Sequence, residues 1–448
     1  MSTLDEAQSR VADLVAAARK AGADAADALY VRSESTQVSV RLGALEDVER
    51  SDGEEIGLRL FVGSRSASVS SSDLSADALT ALVERAVAMA REAPEDPYAG
   101  LAPEEMLFRG TPVDVDGDDG ADPAPADLRE RAMAAEDAAR AVAGVTNSEG
   151  AGASAGRSTL ALATSHGFAG AYRTSGYGSS ASVIAGTGSA MQRDYAYHSA
   201  RHLADLEDAA TIGARAGARA VGRLNPGKLP SGAMPVFFDP RIGGSLVGHL
   251  IGAITGSSVA RRTSFLLDRL GERIFAPGVT LRDDPHRPRG LRSKPFDGEG
   301  LPTRATDIIA DGVLTGWLME SASARQLGLA PTGHATRGVG GPPGVSATNL
   351  YLAPGAASVE ELMADVKLGV LVTELIGQGV NGVTGDYSRG ASGFAIRDGR
   401  IAEPVAEITV AGNLKDMFAA LVPASDLVFR QAVDVPTLRV DGMTLAGA

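Results

Sequence analysis

Glycine recurs every four residues in one apolar segment, and this spacing constrains the fold more than any other feature of the chain. The segment runs from Ile242 to Gly256 and contains Gly244, Gly248, Gly252 and Gly256. On a helix these four positions line one face. Each glycine costs about 1 kcal/mol of helix propensity relative to alanine, so we expect another backbone or a sheet to pack closely against that face.

The composition bounds the class of protein. A chain of 448 residues is too long for one ordinary core, so we expect two or three domains. A formal net charge of −14 disfavours binding to a nucleic-acid backbone. The absence of cysteine excludes disulfides, thiolate metal ligands and cysteine nucleophiles. We find no signal-peptide pattern and no apolar run of about 18 residues, so we expect a cytoplasmic protein.

Hydrophobic periodicity predicts an α+β fold, in which an N-terminal α/β layer domain precedes a β-rich C-terminal domain with a few helices. We expect an α+β region over 1–93, an acidic linker or loop over 94–126, a middle helix and strand-meander region over 127–229, and the β-rich domain over 230–448. Because prolines and like charges disfavour helix and sheet, the acidic segment is predicted to be the most mobile internal stretch.

Local patterns predict individual elements. Thr3 and Glu6 form a capping-box pattern at the start of the first helix. In the C-terminal half we expect one helix near 320–328 and a longer one at about 358–376. Tight hairpins are predicted at Asp-Gly pairs between alternating apolar runs, namely Asp311-Gly312, Asp398-Gly399 and Asp441-Gly442.

Two loops are similar to nucleotide or cation sites but depart from them at decisive positions. Gly222–Leu229 is close to a phosphate-binding loop, yet Leu229 stands where a hydroxyl residue would hold magnesium. Asp114–Pro125 is close to a calcium loop, yet Asp119 stands at the glycine position and Pro125 at the final glutamate. We therefore expect neither a nucleotide site nor a calcium site.

Five strings in the second half of the chain resemble the TldD/TldE (PmbA) family, also called modulators of DNA gyrase. They are Gly248–Arg261, Thr263–Phe275, Lys294–Thr303, Gln378–Phe394 and Ala406–Leu414. The resemblance implies a pair of subunits. The TldD type carries a His-Glu-x-x-x-His helix and a late cysteine that bind zinc, and the TldE type lacks these ligands. The pair resembles a protease that trims unfolded peptides, including leader peptides of modified peptide natural products.

Within that resemblance the chain is similar to the TldE type, because the positions of the metal helix carry no ligand set. They are Gly248, His249 and Ala253: the first and last replace the histidines, and His249 replaces the glutamate. Residues 241–256 contain one histidine and no carboxylate, whereas zinc catalysis needs three protein ligands and an open position. We therefore expect no metal and no catalytic residue here, and zinc in a TldD-type partner.

A glycine-rich stretch at 377–393 is the candidate surface for the partner or the peptide. It holds six glycines among seventeen residues, together with Asp386, Tyr387, Ser388 and Arg389. Glycines let a foreign backbone approach closely, and a tyrosine beside charges of both signs suits an interface. The same stretch also fits an ordinary turn in a β-rich domain.

Two other functions stay open at this point. The chain could be an independent, homodimeric module that binds peptides or proteins without protease activity. It could also be a hydrolase that uses Ser388, Asp386 or Tyr387. Co-purification with a TldD-type chain would favour the heterodimeric metalloprotease.

Overall fold

A computed structural model describes residues 3–447 and confirms the predicted α+β fold. The predicted capping box starts the first helix. The Glu6 amide donates to Thr3 Oγ1 at 3.1 Å, and the Thr3 amide donates to the Glu6 carboxylate at 2.7 Å. Among the helices of residues 3–447, none is both long and apolar enough to span a membrane.

One antiparallel sheet organises the N-terminal half. Its strands are β1 Ala25–Arg41, β2 Ala44–Val62, β3 Arg65–Ser71, β4 Val145–Thr164, β5 Ala169–Ala185 and β6 Gln192–Ala200. The six strands lie in the order β3-β2-β1-β4-β5-β6. Because β1 pairs with β4, the predicted N-terminal and middle regions contribute to a single sheet. The division of the chain into four regions stays a prediction.

Four long helices pack on one face of this sheet. They are α1 Leu4–Lys20, α2 Ala76–Glu92, α3 Pro125–Arg140 and α4 Ala209–Gly222, and three short 3-10 helices lie at Glu104–Met106, Gly188–Ala190 and Leu203–Asp205. On β1 the residues that pack towards the helices, such as Tyr30, alternate with those of the other face. That other face packs through Leu29 and Phe168 against Phe296 and Leu301 of the C-terminal half.

The acidic segment 94–126 is anchored at several points. Ala102, Leu107 and Val115 are buried. The Arg325 guanidinium donates to three of its carbonyls at 2.8–2.9 Å, those of Tyr98, Gly100 and Leu101. These contacts tie the segment to the C-terminal half and argue against its predicted mobility.

A barrel forms the centre of the C-terminal half. The strands of this half are β7 Gly232–Phe238, β8 Leu281–Asp283, β9 Thr306–Ala310, β10 Val313–Leu314, β11 Ala335–Thr336, β12 Gly344–Val345, β13 Leu350–Leu352, β14 Leu368–Ile376, β15 Asp386–Arg397, β16 Arg400–Asn413, β17 Leu421–Pro423, β18 Val433–Asp434 and β19 Leu438–Ala446. One sheet runs β16-β15-β14-β7-β19-β17, and pairing of β16 with β19 closes it. A second sheet runs β10-β9-β8-β13-β18, and β11 pairs with β12.

The helices of this half are short, and one prediction was wrong. They are α5 Pro240–Ala253, α6 Gly256–Ala260, α7 Ser321–Leu327, α8 Val359–Met363 and α9 Leu414–Ala420. The predicted helix at 358–376 is only α8 followed by β14. Strand β14 lies inside the sheet between β7 and β15, so both of its faces are apolar. The sequence of such a central strand is a continuous run of apolar residues. Hydrophobic periodicity alone does not distinguish a run of this kind from a buried helix.

Two of the three predicted hairpins are present. Asp311-Gly312 joins β9 to β10, and Asp398-Gly399 joins β15 to β16, with positive φ at both residues of each pair. The prediction at Asp441-Gly442 was wrong, because this pair lies inside β19 at a register shift against β7. An Asp-Gly pair in a strand suits such a bulge as well as it suits a turn.

Candidate functional site

Helix α5 follows the barrel strand β7 directly, and a side chain fixes its start. The Arg241 amide donates to the Asp239 carboxylate at 2.9 Å, and Pro240 occupies the first helical position, where no amide proton is needed. Leu246 and Leu250 are fully buried in the C-terminal core. The helix therefore turns its apolar face to that core.

The opposite face of α5 is open at two of its glycines. A Cβ added at Gly248 or Gly252 would meet no atom within 4 Å, and both residues are exposed. A Cβ added at Gly244 would meet the side chain and carbonyl of Val433 in β18 at 3.4–3.5 Å, which is an ordinary contact. Gly256 belongs to α6, where a Cβ would collide with Ser323 of α7. We predicted that another backbone or a sheet packs closely against all four glycines. This prediction is wrong for Gly248 and Gly252.

The three positions of the predicted metal helix do not converge. Gly248 is exposed, Ala253 is buried in the C-terminal core, and His249 is half-buried beside β15. A zinc site needs three or four donor atoms within about 2.0–2.3 Å of one point. Within residues 3–447, no group of three or more His, Cys, Asp or Glu side chains is arranged to hold a metal ion. The residues present do not fit a resident zinc.

Strand β15 carries the four residues of the candidate interface, and their side chains alternate in direction. Asp386 and Ser388 are exposed, whereas Tyr387 is only 1% exposed and Arg389 is half-buried. The expectation that Tyr387 offers surface area is wrong for the isolated chain, because its ring belongs to the C-terminal core.

Two of the six glycines of 377–393 lie directly against this chain's own backbone. A Cβ on Gly379 would collide with the Ser388 carbonyl, and a Cβ on Gly393 would collide with a carbonyl of β14. The Ser388 amide donates to the Gly379 carbonyl at 2.7 Å. Only 377–385 form a loop, and the rest of the stretch is strand. These two glycines therefore serve the turn and the barrel, and do not admit a foreign backbone.

Asp386 is committed to holding this turn. Its carboxylate accepts hydrogen bonds from Thr384 Oγ1 at 2.6 Å and from Asn413 Nδ2 at 3.1 Å. These bonds hold the pKa of Asp386 below its ordinary value. Asn413 also caps α9 by accepting from the Lys415 amide at 3.1 Å. Asp386 therefore fixes the turn to the start of α9 and is a poor general base.

Ser388 is not positioned as a nucleophile. It projects from the face of β15 opposite to Tyr387, away from His249. Within the described residues its hydroxyl has no hydrogen-bond partner that could act as a base. The geometry does not favour a serine hydrolase.

Three polar side chains converge between α5 and β15. We call His249, Tyr387 and Arg389 the polar cluster. The His249 and Tyr387 rings meet edge to face, with centroids 6.0 Å apart and planes at 76°. Burial lowers the pKa of His249, and the charge of Arg389 lowers it further, so the imidazole is neutral at pH 7. Burial raises the pKa of Tyr387 to about 12, so the phenol keeps its proton.

A buried ion cluster between the two halves was missed by the sequence analysis. Asp27 of β1 pairs with Arg59 of β2 at 2.5 Å and also with Arg337, and all three side chains are buried. Burial and the neighbouring Asp297 raise the pKa of Glu299 to about 7. The one feature of the sequence that could have indicated this cluster is Asp27, a charged residue inside an otherwise apolar strand segment.

Comparison with known proteins gives three domain matches along the chain. The PmbA/TldA metallopeptidase domain 1 matches residues 26–90, the central domain matches 118–224, and the C-terminal domain matches 231–447. A protein of Escherichia coli O157:H7 named metalloprotease PmbA is 39% identical over 95% of this chain and 92% of its own length.

Solved structures share the fold. A crystal structure of a Bacteroides thetaiotaomicron protein described as a modulator of DNA gyrase has a TM-score of 0.91 and 28% identity, and covers 100% of both chains. TldE from Thermococcus kodakarensis has a TM-score of 0.88 and 21% identity, and covers 98% of this chain and 100% of its own. At that identity the likeness to TldE concerns the fold alone.

Proposed function

Because this chain belongs to the PmbA/TldD metallopeptidase family, we propose that it is the non-catalytic subunit of a TldD/TldE-type heterodimeric zinc metalloprotease. The pair would act on unfolded or leader peptides in the cytoplasm. Helix α5 carries the proposal: its metal positions are Gly248, His249 and Ala253, and they neither supply three ligands nor converge. The catalytic zinc would then be held by a TldD-type partner.

An apolar surface beside β15 supports pairing with another chain. Ile376 at the end of β14 and Val383 in the loop that follows are 60% and 55% exposed, and Asp386 and Ser388 of the paired strand β15 are exposed as well. We call these four residues the pairing surface. Large exposed apolar side chains with a polar surround are typical of subunit contacts.

Co-expression with a TldD-type chain tests the proposal. We expect one heterodimer peak in size-exclusion chromatography, peptide cleavage by the pair, and no cleavage by this chain alone. Val383→Asp should weaken pairing, because it places a charge within an apolar contact. Val428→Asp is the matched control, since Val428 is similarly exposed at 58% but lines a different surface, beside Tyr195 and Arg241.

The same experiment separates the alternative function. An independent, homodimeric module would elute as a homodimer that binds peptides, whether or not a TldD-type chain is present. Absence of the heterodimer with both wild-type chains folded would refute the proposed function.

A further inference from the structure

The polar cluster contains three buried polar atoms without hydrogen-bond partners: His249 Nε2, Tyr387 Oη and Arg389 Nε. Buried polar groups are nearly always paired, because each unpaired one costs about 1–3 kcal/mol. The Arg389 guanidinium lies within hydrogen-bonding reach of the Tyr387 hydroxyl and opposes part of the rise in its pKa, but no hydrogen bond of ordinary geometry joins the two side chains. The three atoms lie together on two facing elements, α5 and β15, which distinguishes them from a single buried polar atom left unpaired by imperfect packing.

Arg389 brings an uncompensated positive charge to this place. Within residues 3–447 it forms no salt bridge, and Arg389 is the charged group that shifts the pKa of both His249 and Tyr387. In a chain with a net charge of −14, a half-buried guanidinium beside two neutral donors forms a local electropositive spot. One positive charge with several donors matches a single monoanion.

The cluster borders the open face of α5. Gly248 directly precedes His249, and Gly252 lies about one turn further along the helix. One turn rises roughly 6 Å over four residues, which is about the length of two residues of extended chain. Since a Cβ at either glycine would meet no atom within 4 Å, a short extended segment has room beside the helix.

We propose that His249, Tyr387 and Arg389 bind one carboxylate of a peptide, whose backbone lies along the open face at Gly248 and Gly252. All three atoms are covered in the isolated chain, so the half-buried Arg389 side chain must move for the carboxylate to enter. Arg389 and the Tyr387 hydroxyl then donate to the carboxylate oxygens, and His249 donates from Nε2 in the neutral tautomer that carries its proton there. The inference that the ligand is a peptide rests on the proposed function. The inference that it carries a carboxylate rests on the unpaired donors alone. The carboxylate belongs either to a C-terminus or to an acidic side chain.

Fluorescence anisotropy with the full-length chain tests the site. The probes are three octapeptides of glycine and serine with an uncharged N-terminal dye: one with a free C-terminal carboxylate, one with a C-terminal amide, and one amide with an internal glutamate. We expect the free acid to bind about tenfold or more tightly than the plain amide, since charge-assisted bonds are lost. The glutamate-containing amide shows which kind of carboxylate the site accepts.

Arg389→Gln should reduce the affinity for the free acid to that of the amide. Arg400→Gln removes the same charge at an exposed hairpin position and should leave the affinity unchanged. Tyr387→Phe, which keeps the buried ring, should weaken acid binding about fivefold by removing one donor. Circular dichroism confirms that each variant is folded.

Three results would overturn the site: no binding of either carboxylate peptide by the wild type, equal affinity for acids and plain amide, or unchanged acid binding in Arg389→Gln. Pairing with a TldD-type chain is scored separately by co-elution. Failure to pair refutes the proposed function but leaves a measured carboxylate preference standing. Equal binding of acids and amide refutes the site even when pairing occurs.

Discussion

Replacing Tyr387 by phenylalanine should stabilise the isolated chain. The Tyr387 hydroxyl is buried and has no hydrogen-bond partner, while its ring is only 1% exposed within the C-terminal core. The substitution keeps the ring and removes a polar group that lost its water on folding. An unpaired buried group costs about 1–3 kcal/mol, so removal should recover up to about 1 kcal/mol after loss of its weak contact with Arg389.

Tyr177 provides the matched comparison. It is also buried, at 3% exposure, but its hydroxyl donates to the Asp119 carboxylate at 2.5 Å and to the Ala121 carbonyl at 2.7 Å. Tyr177→Phe leaves those two acceptors without this donor, so it should destabilise the protein by about 1–3 kcal/mol. The same chemical change is therefore expected to have opposite signs at the two positions.

Thermal unfolding followed by circular dichroism measures the difference. For a domain of 150–250 residues, 1 kcal/mol shifts the melting temperature by roughly 2–4 °C. We expect an upward shift for Tyr387→Phe and a downward shift for Tyr177→Phe. A clear fall in melting temperature for Tyr387→Phe would show that the hydroxyl is already paired in the isolated chain, and the reasoning behind the carboxylate site would fail.

Three further changes test other parts of the structure. Gly248→Ala should stabilise α5 by about 1 kcal/mol because the added methyl group meets open space, whereas Gly379→Ala should destabilise because it collides with the Ser388 carbonyl; thermal melts compare the two. Glu299→Gln should stabilise at pH 8 and have little effect at pH 5, measured by urea unfolding. Its pKa rises from 4.5 to about 7 on folding, so the folded state binds more protons and the wild type loses stability over that range as pH rises. Tyr387→Ala with Arg389→Ala should lower stability by about 3–5 kcal/mol through the cavity left by the ring, measured by urea unfolding.

Local chemistry made several elements predictable. The capping box at Thr3 and the hairpins at Asp311 and Asp398 depend on residues a few positions apart, so the sequence contains everything needed to specify them. The error at 358–376 has a different origin. Strand β14 is apolar on both faces because two neighbouring strands pair with it, and this pairing is not visible in the segment itself.

The site shows the same division between local and tertiary information. The absence of a metal-ligand set in α5 could be argued from the sequence, because it depends on residue types alone. The spacing of Gly248 and Gly252 identified a helix face but not whether that face is packed or open. His249 and Arg389 lie on elements far apart in the chain, so only the fold brings them together.

The central claim is that this chain is the metal-free subunit of a heterodimer. The most direct test measures the zinc content and the subunit stoichiometry of the same purified samples. The isolated chain and its complex with a TldD-type subunit would be purified by size exclusion and analysed for bound zinc and for peptide cleavage. We predict no stoichiometric zinc in this chain, because its residues 3–447 contain no metal-binding group, and one zinc per heterodimer, with cleavage by the heterodimer only. Stoichiometric, chelator-sensitive zinc in the isolated chain, or peptide cleavage by it alone, would contradict the account.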